Sequence, residues 1–151
     1  MVDRGQERIV ACFCRAPILQ RMYPMQVKSF HDLHVWQLSM QLATDIYRLV
    51  HQLPADERFG LSLQMRRSTI SIPSNIAEGC GYGKSRRNIH HVRIALGSDL
   101  ELQTQLMLIE RLRLATPEQV QPVLDRASEV GRMLNGLIRS LEQHQSAPKG
   151  D

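Results

Sequence analysis

Between Gly79 and Ser85 the chain reads GCGYGKS, and a glycine-rich run closing on Gly-Lys-Ser has the composition of a phosphate-binding loop. The spacing excludes it. Such a loop needs four residues between its first glycine and the Gly-Lys-Ser and must follow a strand, whereas position 78 is Glu and the run follows a helical pattern. Metal chemistry is no better placed. A di-iron bundle requires Glu-x-x-His on two helices, and no histidine stands three residues after a Glu. His90 and His91 are adjacent, so on a helix they project about 100° apart. Cys12 and Cys14 have no second Cys or His pair at ligand spacing. The three cysteines are too few and too uneven for a disulfide framework and read as reduced thiols of a cytoplasmic protein. No nucleophile stands with an identifiable base, so the residues assign no catalytic group, no metal ligand and no cofactor.

Two other constellations do stand in pattern. From Arg58 to Arg93 there are seven Lys/Arg against Glu78 alone, a local charge of +6 in a chain whose formal total is +4. Lys84, Arg86, Arg87 and Arg93, with His90 and Tyr82, fall at one inter-helix corner. Positive charge and flexible glycines favour phosphate contact with RNA or DNA, and Tyr82 stands beside them as an aromatic stacker. The second constellation is a polar line. Gln64, Ser68, Ser71, Asn75 and Glu78 follow 4,3,4,3 spacing and so share one line of a helix, where a bundle would normally place leucine. Two readings stand beside each other: a solvated face, or partly buried groups bonded to Ser98, Glu101 and Gln105 of the next helix, with Arg67 reaching Glu101. A buried network of this kind would fix register or subunit choice more than it would add stability.

The elements that position these groups are helical. Aliphatic residues outweigh aromatics, which are 5% of 151 residues, as suits helix packing, and that length can bury a core without disulfides. Residues 1–28 lack periodicity and read as an irregular extension, with Met25 as an alternative start of translation. Residues 29–143 form the bundle domain, and 144–151 a disordered tail. Leu33 to Leu53 predicts a first helix with Asp32 as N-cap and two apolar stripes, one through Trp36, Met40, Ala43, Tyr47 and Val50, the other through Val35, Leu38, Leu42, Ile46, Leu49 and Leu53. Phe59 to Gly79 predicts a second, kinked at Pro73 and ended by Gly79, Gly81 and Gly83. Ser85 caps a third, with Ile89, Val92, Leu96, Leu102, Leu106 and Ile109 inward. Thr116, Pro117 and Gln119 start a fourth, with Val120, Val123, Ala127, Val130, Leu134, Leu137 and Leu141 inward. The fold class is all-α, an antiparallel up-down-up-down four-helix bundle. No apolar run approaches the length needed to cross a membrane.

The segments FHDLHVW (Phe30 to Trp36), FGLSLQMRRSTISIPSNIAEG (Phe59 to Gly79) and IALGSDLELQTQL (Ile94 to Leu106) resemble the bacterial four-helix bundle proteins first noted as products of 23S rRNA intervening sequences. The resemblance covers about Phe30 to Leu141. It implies a cyclic homo-oligomer, in the form of a pentamer, and a relationship to the accessory variability determinant of diversity-generating retroelements, a basic bundle that binds nucleic acid and a reverse transcriptase. It carries no catalytic residues; Gln64, Arg67, Ser71, Asn75, Glu78, Gly79, Ser98 and Glu101 match as motif residues without an assigned role. Asp99 departs from the pattern, which leads to an apolar residue there.

Residues and resemblance together lead to a non-enzymatic homo-oligomeric bundle binding RNA or DNA through Lys84, Arg86, Arg87, His90 and Arg93. The alternative is a structural or protein-interaction module whose charge serves only solubility. An enzyme using Glu78 or Glu101 as a buried general base is a third reading.

Overall fold

The computed structural model describes residues 29–146, and the side chains of residues 58 and 59 are not described. The expectations for 1–28 and for 147–151 lie outside the described residues. Four helices follow in order: α1 (His34–His51), α2 (Leu61–Gly81), α3 (Arg86–Arg111) and α4 (Pro117–Ser146), with short 3-10 turns at Phe30–Asp32 and Ala55–Phe59. No strand occurs among the described residues. Each helix packs on two neighbours, α1 on α2 and α4, and α3 on α2 and α4, while the diagonal pairs do not meet. That is a four-helix bundle whose corners are α1 and α3 on one diagonal and α2 and α4 on the other.

Local chemistry sets the ends, with some departures from expectation. Asp32 does not cap α1. It closes a capping box with Ser29 on the preceding 3-10 turn, accepting from the Ser29 N–H at 3.0 Å, and Leu33 stands at the N-cap without a side-chain bond. The expected cap at Ser85 is present, with its hydroxyl accepting from Asn88 N–H at 3.4 Å. At α4, Gln119 Oε1 accepts from Thr116 N–H at 2.8 Å, the reciprocal bond expected of a capping-box glutamine. Helix α2 runs through Pro73, which is buried, and α4 runs through Pro122. Helix α4 also continues to Ser146, beyond the boundary expected at 143.

The core is a continuous column of Val35, Leu42, Ile46, Met65, Ile72, Ile76, Val92, Leu102, Leu106, Ile109, Val120, Val130 and Leu134. Burying each large aliphatic side chain contributes roughly 1.5–3 kcal/mol, which makes this column the main source of stability. Three expected positions shift. In α3 the seam between Val92 and Leu102 passes through Ala95 and Asp99, both 0% exposed, while Leu96 is only half-buried. In α4, Ile138 is buried and Leu137 half-buried, because the helix steps four residues beyond Leu134 before returning to Leu141. In α1 one stripe is buried as expected, but the other divides: Val50 is core, Trp36 and Ala43 are half-buried, and Met40 and Tyr47 face outward.

Candidate nucleic-acid interface

Helix α2 makes close contact with α3 at a glycine. Gly79 is buried, so the two backbones approach there more closely than a larger side chain would allow. Gly79 is the tightest point: a Cβ there would lie 2.7 Å from Asn88 Oδ1, 3.3 Å from the Asn88 carbonyl oxygen and 3.2 Å from His91 Cβ. Gly79 therefore does not end the helix, as the sequence suggested. It admits α3, and the helix stops two residues later at Gly81. Gly83, with φ of 59°, holds the left-handed turn that only glycine adopts without strain.

With the turn centred there, the polar line of α2 meets α3 in register. Ser98 Oγ donates to Ser71 Oγ at 2.8 Å, and Asn75 Nδ2 donates to the Ser71 carbonyl and hydroxyl at 2.9 and 3.1 Å. His91 Nδ1 lies 3.1 Å from Asn75 Oδ1 and 3.3 Å from Glu78 Oε2. Both partners are acceptors, so the ring carries its proton on Nδ1 and donates. Ser68 is buried and donates back to the Gln64 carbonyl at 3.0 Å. The two ends of the line, Gln64 and Glu78, are exposed. Each of the two sequence readings is thus right for part of the line.

Other expected contacts are not made. Arg67 and Glu101 are both exposed and form no ion pair among the described residues; Glu101 instead accepts from Gln105 Nε2 on its own helix at 3.0 Å. Glu78 and Glu101 are exposed, where the general-base reading expected them buried. Among the described residues no group of three or more His, Cys, Asp or Glu could hold a metal ion.

The basic corner is pinned rather than loose. Asn88 Nδ2 donates to the Gly83 carbonyl, and Gln145 Nε2 of α4 donates to the Lys84 carbonyl at 3.4 Å. The Tyr82 ring stacks on His91, with centroids 5.4 Å apart and planes 13° off parallel, and the Arg87 guanidinium lies 5.5 Å from the Tyr82 centroid. Lys84, Arg86, Arg87 and His90 are exposed. Lys84, Arg86 and Arg87 form no ion pair among the described residues. Arg93 departs from the sequence reading: its Nη2 lies 2.7 Å from Glu142 Oε1 of α4, an acid that the linear sequence places 49 residues away. His91 is the piece that sequence reasoning missed. No linear spacing links it to Asn75; only the register of the α2–α3 hairpin does.

Electrostatics at the start of α3 is unusual. Its first turn holds no acid, and Arg86 and Arg87 stand at the positive end of a 26-residue helix dipole. Each such mismatch costs roughly 0.3–1 kcal/mol, a cost that an anion bound there would offset.

Residues 31–136 match the family model described as 23S rRNA-intervening sequence protein. A solved structure from Bacteroides thetaiotaomicron, a protein with unknown function from the S23 ribosomal protein family, is 30% identical. The similarity covers 69% of this chain and 97% of that one, with a TM-score of 0.63. No curated protein matches.

Proposed function

The chain belongs to the 23S rRNA-intervening sequence protein family, and on that premise we propose a non-catalytic, self-associating bundle whose α2–α3 corner binds the phosphate backbone of RNA or DNA. The observation that carries this reading is the fixed presentation of Lys84, Arg86 and Arg87. All three are exposed at a pinned corner, Lys84 in the turn and Arg86 and Arg87 at the start of α3, without carboxylate partners among the described residues, and the two arginines oppose the dipole of their own helix. Arg93 contributes less than the sequence suggested, since Glu142 neutralises it. A direct test is titration of fluorescently labelled RNA with the purified full chain. Binding that weakens as salt rises supports the reading, and no binding at low ionic strength contradicts it.

Self-association rests on a different surface. Between Arg93 and Glu110 the exposed residues of α3 are Ile94, Gly97, Leu100, Glu101, Thr104, Met107 and Leu108, a single charge among seven. Gly97 has nothing within 4 Å of its would-be Cβ, so no contact inside the protomer accounts for a glycine in mid-helix, which costs about 1 kcal/mol. A second chain packed on this face would bury it. Leu100→Glu combined with Met107→Glu is expected to shift the protein to a monomer by size-exclusion light scattering, with helicity unchanged. An unaltered mass would place the interface elsewhere, and a monomeric wild type would remove assembly from the account and leave the corner to act alone.

A further inference from the structure

Tyr82 is the one aromatic side chain inside the basic corner, and its setting says what kind of nucleic acid the corner would take. The ring is held at two points, by the parallel His91 ring and by the Arg87 guanidinium. His91 is itself fixed by Asn75 and Glu78, and it lies against Gly79. Tyr82 nevertheless remains 45% exposed. An aromatic side chain fixed in orientation and open to solvent has already lost the rotational freedom that binding would otherwise remove. Its immediate neighbours Lys84, Arg86 and Arg87 are exposed and form no ion pair among the described residues.

From this juxtaposition we infer that the corner takes single-stranded nucleic acid, with Tyr82 as the stacking surface for an unpaired base and Lys84, Arg86 and Arg87 on the flanking phosphates. The inference rests on the corner being the nucleic-acid surface. Along a duplex the base faces are already stacked on one another, so Tyr82 has nothing to receive there and only the phosphate contacts remain. In a single strand the faces are free, and stacking on one aromatic side chain strengthens binding whatever the base. His91 acts as a positioning residue here, since it fixes the ring without being the group that meets the base. The polar line of α2 thereby acquires a consequence at the surface: Asn75 and Glu78 hold His91, and His91 holds Tyr82.

The test compares the full chain and its variants on two fluorescein-labelled probes of about 20 nucleotides, polyuridine and a fully paired RNA duplex, by anisotropy at one salt concentration. Wild type is expected to bind polyuridine more tightly than the duplex. Tyr82→Ala should weaken polyuridine binding about tenfold and leave duplex binding within about twofold, while Tyr82→Phe keeps both. His91→Phe, which keeps a ring against Tyr82 but removes the bonds to Asn75 and Glu78, should weaken polyuridine binding by less than Tyr82→Ala does and leave duplex binding within about twofold. The duplex probe guards against a collapsed corner, because the cations bind it without Tyr82. Equal loss on both probes, no loss on polyuridine, or tighter binding of the duplex by wild type would each overturn the single-strand assignment. If Arg86→Glu with Arg87→Glu leaves both probes unaffected, it is the nucleic-acid reading itself that fails.

Discussion

Asp99→Asn is expected to raise the melting temperature at pH 7.5 by roughly 8 °C and to leave it nearly unchanged at pH 4, by circular dichroism. Asp99 is 0% exposed between α3 and α4. One carboxylate oxygen accepts from Gln103 Nε2 at 2.7 Å, and the other has no partner. Across the interface Gly131 makes room for it, since a Cβ there would lie 2.7 Å from Asp99 Oδ2. Burial pushes the Asp99 carboxyl up from 3.8 to about 6, against a smaller opposing effect of the Gln103 bond. The folded state therefore holds the proton more tightly than the unfolded chain, and stability falls as pH rises from about 4 to about 6. Above that window the full penalty stands, about 3 kcal/mol at 1.36 kcal/mol per unit. Asparagine removes the charge at nearly the same volume but adds an amide that needs an acceptor, so a gain of about 2 kcal/mol is the expected net. A variant that melts lower than wild type at both pH values would show that the carboxylate is satisfied in the assembled protein.

The second large effect is on binding. Arg86→Glu with Arg87→Glu should weaken RNA binding at least a hundredfold at about 0.1 M salt, since it replaces two phosphate contacts with two repulsive charges. The fold should not suffer. Glutamates at the first two positions of α3 suit the helix dipole, worth roughly 0.3–1 kcal/mol each, which offsets the lost Arg87 contact with Tyr82. Unchanged affinity in this variant, with normal helicity, would leave the corner without the role assigned to it.

Much of the fold was legible because periodicity and caps are local. Ser85, and Thr116 with Gln119, announce their helices within four residues, and the buried stripe of α1 follows from 3,4 spacing alone. What the sequence could not show depends on which residues face each other across helices. Glu142 neutralises Arg93 only because α4 runs antiparallel to α3 and reaches the corner. Asp99 sits in the core only because Gly131 stands opposite, and no apolar period predicts a carboxylate there. Gly79 illustrates the limit most clearly. Its position near other glycines suggests a helix stop, yet its function is to let Asn88 and His91 approach. The polar line was recognisable as a pattern, but its partial burial was not, since spacing is blind to how deep a face lies.

The central claim is that the α2–α3 corner engages phosphates, and the salt dependence of RNA affinity tests it most directly. With Lys84, Arg86 and Arg87 each neutralising one phosphate of a single strand, log K against log salt should fall with a slope of about −2 per protomer engaged. The slope should flatten in the Arg86→Glu, Arg87→Glu variant. An affinity indifferent to salt, or no binding at the lowest salt tested, would contradict the account.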